Sequence, residues 1–116
     1  MKISENILPA QFGDVSQAIF AIVHANIHET GWQQHSAIQI PVFRKGAFSD
    51  KGVSCELEQG KVTIKVFVQA MLGEQSVYHS AMELQRCIAE EIILYTSLLP
   101  RKIDVIVTGV KAKKTQ

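Results

Sequence analysis

The chain has 116 residues, 47% of them apolar and 20% charged, with twelve Lys/Arg against eleven Asp/Glu for a net charge of +1. A single domain's length, ordinary apolar content and only two cysteines exclude a mostly disordered chain, a collagen-like chain and a disulfide scaffold. The near balance of charge leaves little long-range attraction to nucleic acid or anionic lipid over the molecule as a whole.

Residues 1–13 read as a lead-in carrying Pro9 and Gly13. Its start shows no apolar core of a signal peptide. Asp14 is suited to cap a helix over Val15 to Ile27, with Val15, Ala18, Ile19, Ile22, Val23 and Ile27 on one face. Gln17, His24 and His28 fall on the opposite face, and Gly31 suits a left-handed end. Ser36 to Phe43 is partly alternating, and Pro41 makes it an edge strand or an extended loop. Residues 44–52 carry four charges and two glycines and read as a mobile surface loop.

Val53 to Leu57 alternates as a strand, and Glu58-Gln59-Gly60 makes a hairpin turn. Lys61 to Ala70 is the clearest strand, with Val62, Ile64, Val66, Val68 and Ala70 on its buried face. Ser76 or Ser80 caps a long helix reaching about Leu98, stopped by Pro100. Its core stripe is Val77, Ala81, Leu84, Ile88, Ile92, Tyr95 and Leu99; its wet face is His79, Glu83, Arg86 and Glu90. Ile103 to Val110 is a last strand. The expected fold is α+β, a two-layer sandwich of a three- to four-stranded mixed sheet with two helices on one face. Residues 1–110 form the domain, and 111–116 a basic tail.

No catalytic, cofactor or metal site is legible. His24 and His28 have the i,i+4 spacing of metal ligands, but Ala25 stands where H-E-x-x-H requires Glu, and both are expected to be solvated. There is no G-x-S-x-G, and no two glycines stand three apart, which excludes G-x-G-x-x-G and the G-x-x-G loop of KH domains. Cys55 and Cys87 lie in apolar patterns and read as buried free thiols of a reducing compartment. No run approaches the ~20 apolar residues of a membrane-crossing helix. A cytoplasmic location is therefore expected.

What stands out is an apolar and basic excess. Met82, Ile93 and Leu94 lie off the stripe of the long helix, and Phe67 lies on the wet face of its strand beside Lys61 and Lys65. Clustered exposed apolar residues mark partner surfaces; the alternative is that Met82 and Ile93 lie at the wide edge of the core. The candidate contact residues are thus Phe67, Lys61, Lys65, Ile93 and Leu94. Substituting Phe67→Glu should then weaken assembly without unfolding the domain.

From Gly60 to Val110 the chain resembles the bacterial alkaline shock protein family, also called the glucose-starvation stress family. The likeness rests on Gly60-Lys-Val-Thr-Ile-Lys-Val-Phe-Val, Gly73, Leu84-Gln85-Arg-Cys-Ile88, Thr96-Ser97-Leu98 and Val105-Ile-Val-Thr-Gly109-Val110. In the first half, Ile3-Ser4 and Gly31-Trp32 echo the family, whereas Pro9, Gly13 and the long 36–52 segment depart from it. The resemblance implies a non-enzymatic interaction or scaffold protein of envelope homeostasis or stress response. Such a protein self-associates as a homo-oligomer or binds a membrane-anchored protein. The alternative from the residues is a small nucleic-acid-binding domain using the loop lysines Lys45 and Lys51, beside Arg44, and the tail lysines Lys111, Lys113 and Lys114.

Overall fold

The structure, a computed structural model, describes residues 9–35, 38, 40–42, 46–71 and 76–111, with side chains between 14 and 110. The lead-in at 1–8, Arg44, Lys45 and the tail lysines Lys113 and Lys114 lie outside the described residues.

The first element is α1, Pro9–Glu29. It begins six residues before the expected start, because proline is accepted in a helix's first turn and the cost of Gly13, about 1 kcal/mol, is overridden by the packing that follows. Its buried face is also turned from the expected one. Ile19, Val23 and Ile27 are buried, but so are Ser16, Phe20 and Asn26, while Ala18 is exposed. The turn brings His24 to the border of the core, where its ring stacks on Phe20 at 6.3 Å between centroids. The helix ends as expected at Gly31, with φ +83°. Gly31 N–H donates to the His28 carbonyl at 3.3 Å and Trp32 N–H to the Ile27 carbonyl at 3.1 Å, a Schellman end that folds Trp32 into the core.

Then come β1, Gln33–Gln34, β2, Ala47–Asp50, β3, Val53–Glu58, and β4, Lys61–Met71. The segment expected as a mobile loop therefore contains a strand. Lys51 and Gly52 both have positive φ (48° and 81°), so they close a two-residue hairpin between β2 and β3. Gln59 and Gly60 (49° and 77°) do the same between β3 and β4. Two consecutive positive φ values match the primed turn whose twist suits a hairpin. Lys-Gly was masked by the charges around it. Residues 38 and 40–42 are in no strand, which leaves the extended-loop reading of that segment.

Helix α2, Val77–Thr96, is capped by Ser76, whose Oγ accepts from His79 N–H at 3.1 Å. It stops at Ser97 in the left-handed region (φ 61°), before Pro100 has any part in ending it. The last strand, β5, Leu99–Lys111, is correspondingly longer than expected and already includes Pro100. It also carries Lys111, so the expected tail begins inside a strand.

Strand β5 pairs parallel with β4 along its whole length, from Lys61↔Leu99 to Met71↔Lys111. The other edge of β4 is shared: β3 takes Lys61–Val66 and β1 takes Val68–Gln69, both antiparallel. Strand β2 extends the sheet beyond β3. The sheet thus has five strands among the described residues, against the three or four expected, because the short β1 and the charged β2 carry little hydrophobic signal.

Both helices pack with this mostly antiparallel sheet, giving an α+β fold. Alternation works as the pattern requires. Val62, Ile64, Val66 and Val68 of β4 and Val53 of β3 are fully buried in one cluster with Ile19, Leu84, Ile88 and Ile92 of the helices. Each such side chain contributes roughly 1.5–3 kcal/mol.

Candidate interaction surface

The long helix decides which apolar residues remain outside. Its buried residues are Leu84, Ile88, Ile92 and Thr96. Steps of four residues advance the buried line around a helix of 3.6 residues per turn, so by the last turn Thr96 has replaced Tyr95. Tyr95, placed in the core stripe by its spacing, is 68% exposed, and Leu99 is 58% exposed. Thr96 suits the site because its hydroxyl donates to the Ile92 carbonyl at 2.6 Å and accepts from Leu98 N–H at 3.2 Å. The left-handed Ser97 reverses the chain, and Leu98 takes the buried place expected of Leu99.

Among the described residues, eight large apolar side chains are exposed, and seven belong to α2 or β5: Tyr78, Met82, Ile93, Leu94, Tyr95, Leu99 and Val110. Ile93 and Leu94 are thus exposed on α2, where the sequence reading put them. Phe67, Lys61 and Lys65 are elsewhere. They project from β4 on the side opposite its buried valines, with both lysines exposed and Phe67 half-buried. The five residues do not form one surface, since α2 packs on the buried side of the sheet. Tyr78, Tyr95, Leu99 and Val110 were missed. The rotation of the last turn of α2 and the early start of β5 are what put Tyr95 and Leu99 outside the core stripe in which their spacing placed them.

The outer side of the sheet is partly occupied. Ile40, Pro41 and Val42 line a shallow depression with Ser54, Glu56 and Thr63. Near Phe67, Thr108 donates its hydroxyl proton to the Val68 carbonyl at 3.2 Å and contacts His35 Nδ1 at 2.8 Å. That hydroxyl has one proton to give, so His35 Nδ1 carries the proton of the second bond.

Strand β5 differs from every interior strand. Among the described residues its outer edge has no strand partner. Two register shifts against β4, one at Val62/Thr63 and one at Val68/Gln69, leave Arg101 and Thr108 as extra residues on β5. Such bulges bend and protect edges. Between them Lys102–Val107 runs regularly, and a shallow groove separates it from α2, lined by Met82, Gln85, Arg86, Ala89, Arg101 and Ile103. Gln85 Nε2 donates across it to the Ile103 carbonyl at 2.7 Å. On the rim, Arg86 bonds Glu90 at 2.8 Å, and Lys102 Nζ lies 3.7 Å from Asp104 Oδ2. Compared with protein-family models, curated proteins and solved structures, this chain matches none.

The remaining chemistry-bearing groups read structurally. His24 is half-buried, not solvated as expected, and its Nε2 donates to Asp50 Oδ2 at 3.0 Å, tying α1 to β2. Its Nδ1 is buried with no hydrogen-bond partner among the described residues. His28 is exposed on its own. No group of three or more His, Cys, Asp or Glu that could hold a metal occurs among the described residues. Cys55 and Cys87 are free thiols. Burial pushes the Cys55 thiol up to about 12, so its nucleophilic thiolate is scarce at neutral pH. Cys87 is half-buried, not buried as expected, with the Arg86 guanidinium 3.8 Å from its sulfur. No described helix is long and apolar enough to cross a membrane.

Proposed function

We propose that this protein is a non-enzymatic interaction module that docks through the side formed by α2 and β5. The observation that carries this reading is the segregation of exposed apolar residues: seven of eight lie on those two elements. Single exposed apolar residues are ordinary, but their concentration on adjoining elements, beside a strand edge with no partner among the described residues, is the signature of a contact surface. The partners in view are a second copy of the chain or a membrane-anchored protein. A cytoplasmic role in envelope homeostasis or stress is what the likeness over Gly60 to Val110 adds. Nucleic-acid binding is less favoured, because the two proposed lysines among the described residues lie on separate elements, Lys51 in the β2–β3 turn and Lys111 at the end of β5.

Site-specific photo-cross-linking in the producing cell tests the reading. A cross-linker at Leu94 is expected to give discrete protein adducts, and one at Lys65 none. Adducts at Lys65 and none at Leu94 would move the contact surface to the outer side of the sheet and end this assignment.

A further inference from the structure

We infer that β5 pairs antiparallel with β5 of a second copy about a two-fold axis at Ile103, joining the two sheets edge to edge. The inference rests on the preceding reading of the α2–β5 side and names its occupant. Three observations converge on it.

The first is the edge itself, which lacks a strand partner among the described residues; an axis at Ile103 sets Lys102, Ile103 and Asp104 against their counterparts within the stretch that runs regularly from Lys102. The second is charge. In an antiparallel pair about a two-fold axis, residues i and j face each other at a constant sum, and residues with outward backbone groups must face one another. Within the regular stretch this allows axes only at individual residues. An axis at Asp104 sets that carboxylate against its own copy, a repulsive placement. Axes at Val105 or Ile106 oppose no unlike charges within the stretch. An axis at Ile103 sets Lys102 opposite Asp104 of the second copy, twice by symmetry. The Lys102 ammonium is exposed, and Asp104 already lies beside Lys65 in the register with β4. The pairing therefore continues an alternating row of charges from one sheet into the next.

The third observation is the groove. Ile103 is part of its lining, together with Met82 and Ala89. An axis through Ile103 brings the two grooves together and covers half-exposed Met82 in both copies. The same patch then serves both partners, as a two-fold interface requires. Gln85, which now holds the Ile103 carbonyl, sits where the added strand arrives. Gln85 Nε2–H occupies one lone pair of that carbonyl, and the incoming N–H takes the other.

The test is charge exchange between copies, read by sedimentation velocity on the full chain. The wild-type chain is expected to sediment as a dimer at micromolar concentration. Lys102→Asp alone places two aspartates against two, and Asp104→Lys alone two lysines against two. Each is expected to weaken dimerisation about tenfold or more. An equimolar mixture of the two variants restores both unlike pairs and is expected to recover the dimer. Circular dichroism and thermal melting establish that each variant is folded. A wild-type monomer at all concentrations, variants that dimerise like the wild type, or folded variants whose mixture stays monomeric would each overturn the inference. If Leu94 still cross-links to a different protein in the cell, the self-pairing fails alone and the interaction surface stands.

Discussion

Gly52 and Gly31 have nearly the same backbone, φ +81° and φ +83°, and very different surroundings. Gly52 stands where β3 hands the edge of β4 to β1, and its carbonyl accepts from Phe67 N–H at 2.9 Å. A Cβ there would collide with the His35 carbonyl oxygen, which is backbone and cannot swing aside. Nothing lies within 4 Å of a Cβ at Gly31. Gly31→Ala is therefore expected to cost about 1 kcal/mol from conformation alone, and Gly52→Ala roughly 3 kcal/mol or more. Urea unfolding separates them, and equal losses would refute the close approach. Cys55 gives a second prediction at this scale. Its pKa is 9.0 as an ordinary thiol and about 12 in its buried place, so the native state keeps a proton that the unfolded chain releases. Stability is fully present below about 9 and falls as the pH rises from there toward about 12. Cys55→Ala is expected to flatten that fall in unfolding midpoints, even though the variant starts from lower stability. An unchanged slope would locate the alkaline sensitivity elsewhere.

At the scale of elements, the junction of α2 and β5 offers both a gain and a loss. Ser97 adopts a left-handed conformation that favours glycine, and it is exposed. Ser97→Gly is expected to stabilise by up to about 1 kcal/mol, raising the melting temperature by a few degrees. Thr96→Val keeps the shape but removes the acceptor of Leu98 N–H, which is buried, and is expected to cost about 1–2 kcal/mol. The same junction shows what was legible in the chain. The strands over Val53–Glu58 and Lys61–Met71 were plain because strict alternation leaves one choice of face. The long helix was plain from its period. Its last turn was not, because a buried line that drifts around the helix makes Tyr95 and Thr96 compete for one place, and threonine is the smaller hydrophobic signal. Asp14 and Gly13 pointed to a later start of α1 by local preference, which packing overrode. Strand β2 was hidden because Phe48 is the lone large apolar residue among Ala47, Ser49 and Asp50.

For the whole molecule, the spacing of residues showed that Ile93 and Leu94 were surplus to the core but not what lay beside them. That the outer edge of β5 has no strand partner among the described residues is a property of topology. It arises because α2 carries the chain from the end of β4 back to its other edge, and no periodicity reports that. Phe67 and the two lysines were grouped with the helix residues for the same reason: residues apart in sequence were joined before the sheet was known to separate them. With the sheet in place, Phe67→Glu tests the half-buried outer side, beside the His35–Thr108 bond. It is expected to lower stability by about 1 kcal/mol or more while leaving cross-linking at Leu94 unchanged. Loss of the Leu94 adducts in a folded Phe67→Glu chain would join the two sides after all.

The pair of two-residue hairpins has a consequence in time. Strands β2, β3 and β4 are neighbours in sequence, and such hairpins close in roughly 1–10 μs. The parallel partner of β4 must wait until α2 has formed and crossed back, a longer loop closure with a slower search. During that interval the edge of β4 reserved for β5 stands open beside its row of valines. Another chain at the same stage can lend its own β5 to that edge, so refolding should slow or misassemble as protein concentration rises. The order in which the strands close thus exposes the growing sheet to exchange of its final strand between chains.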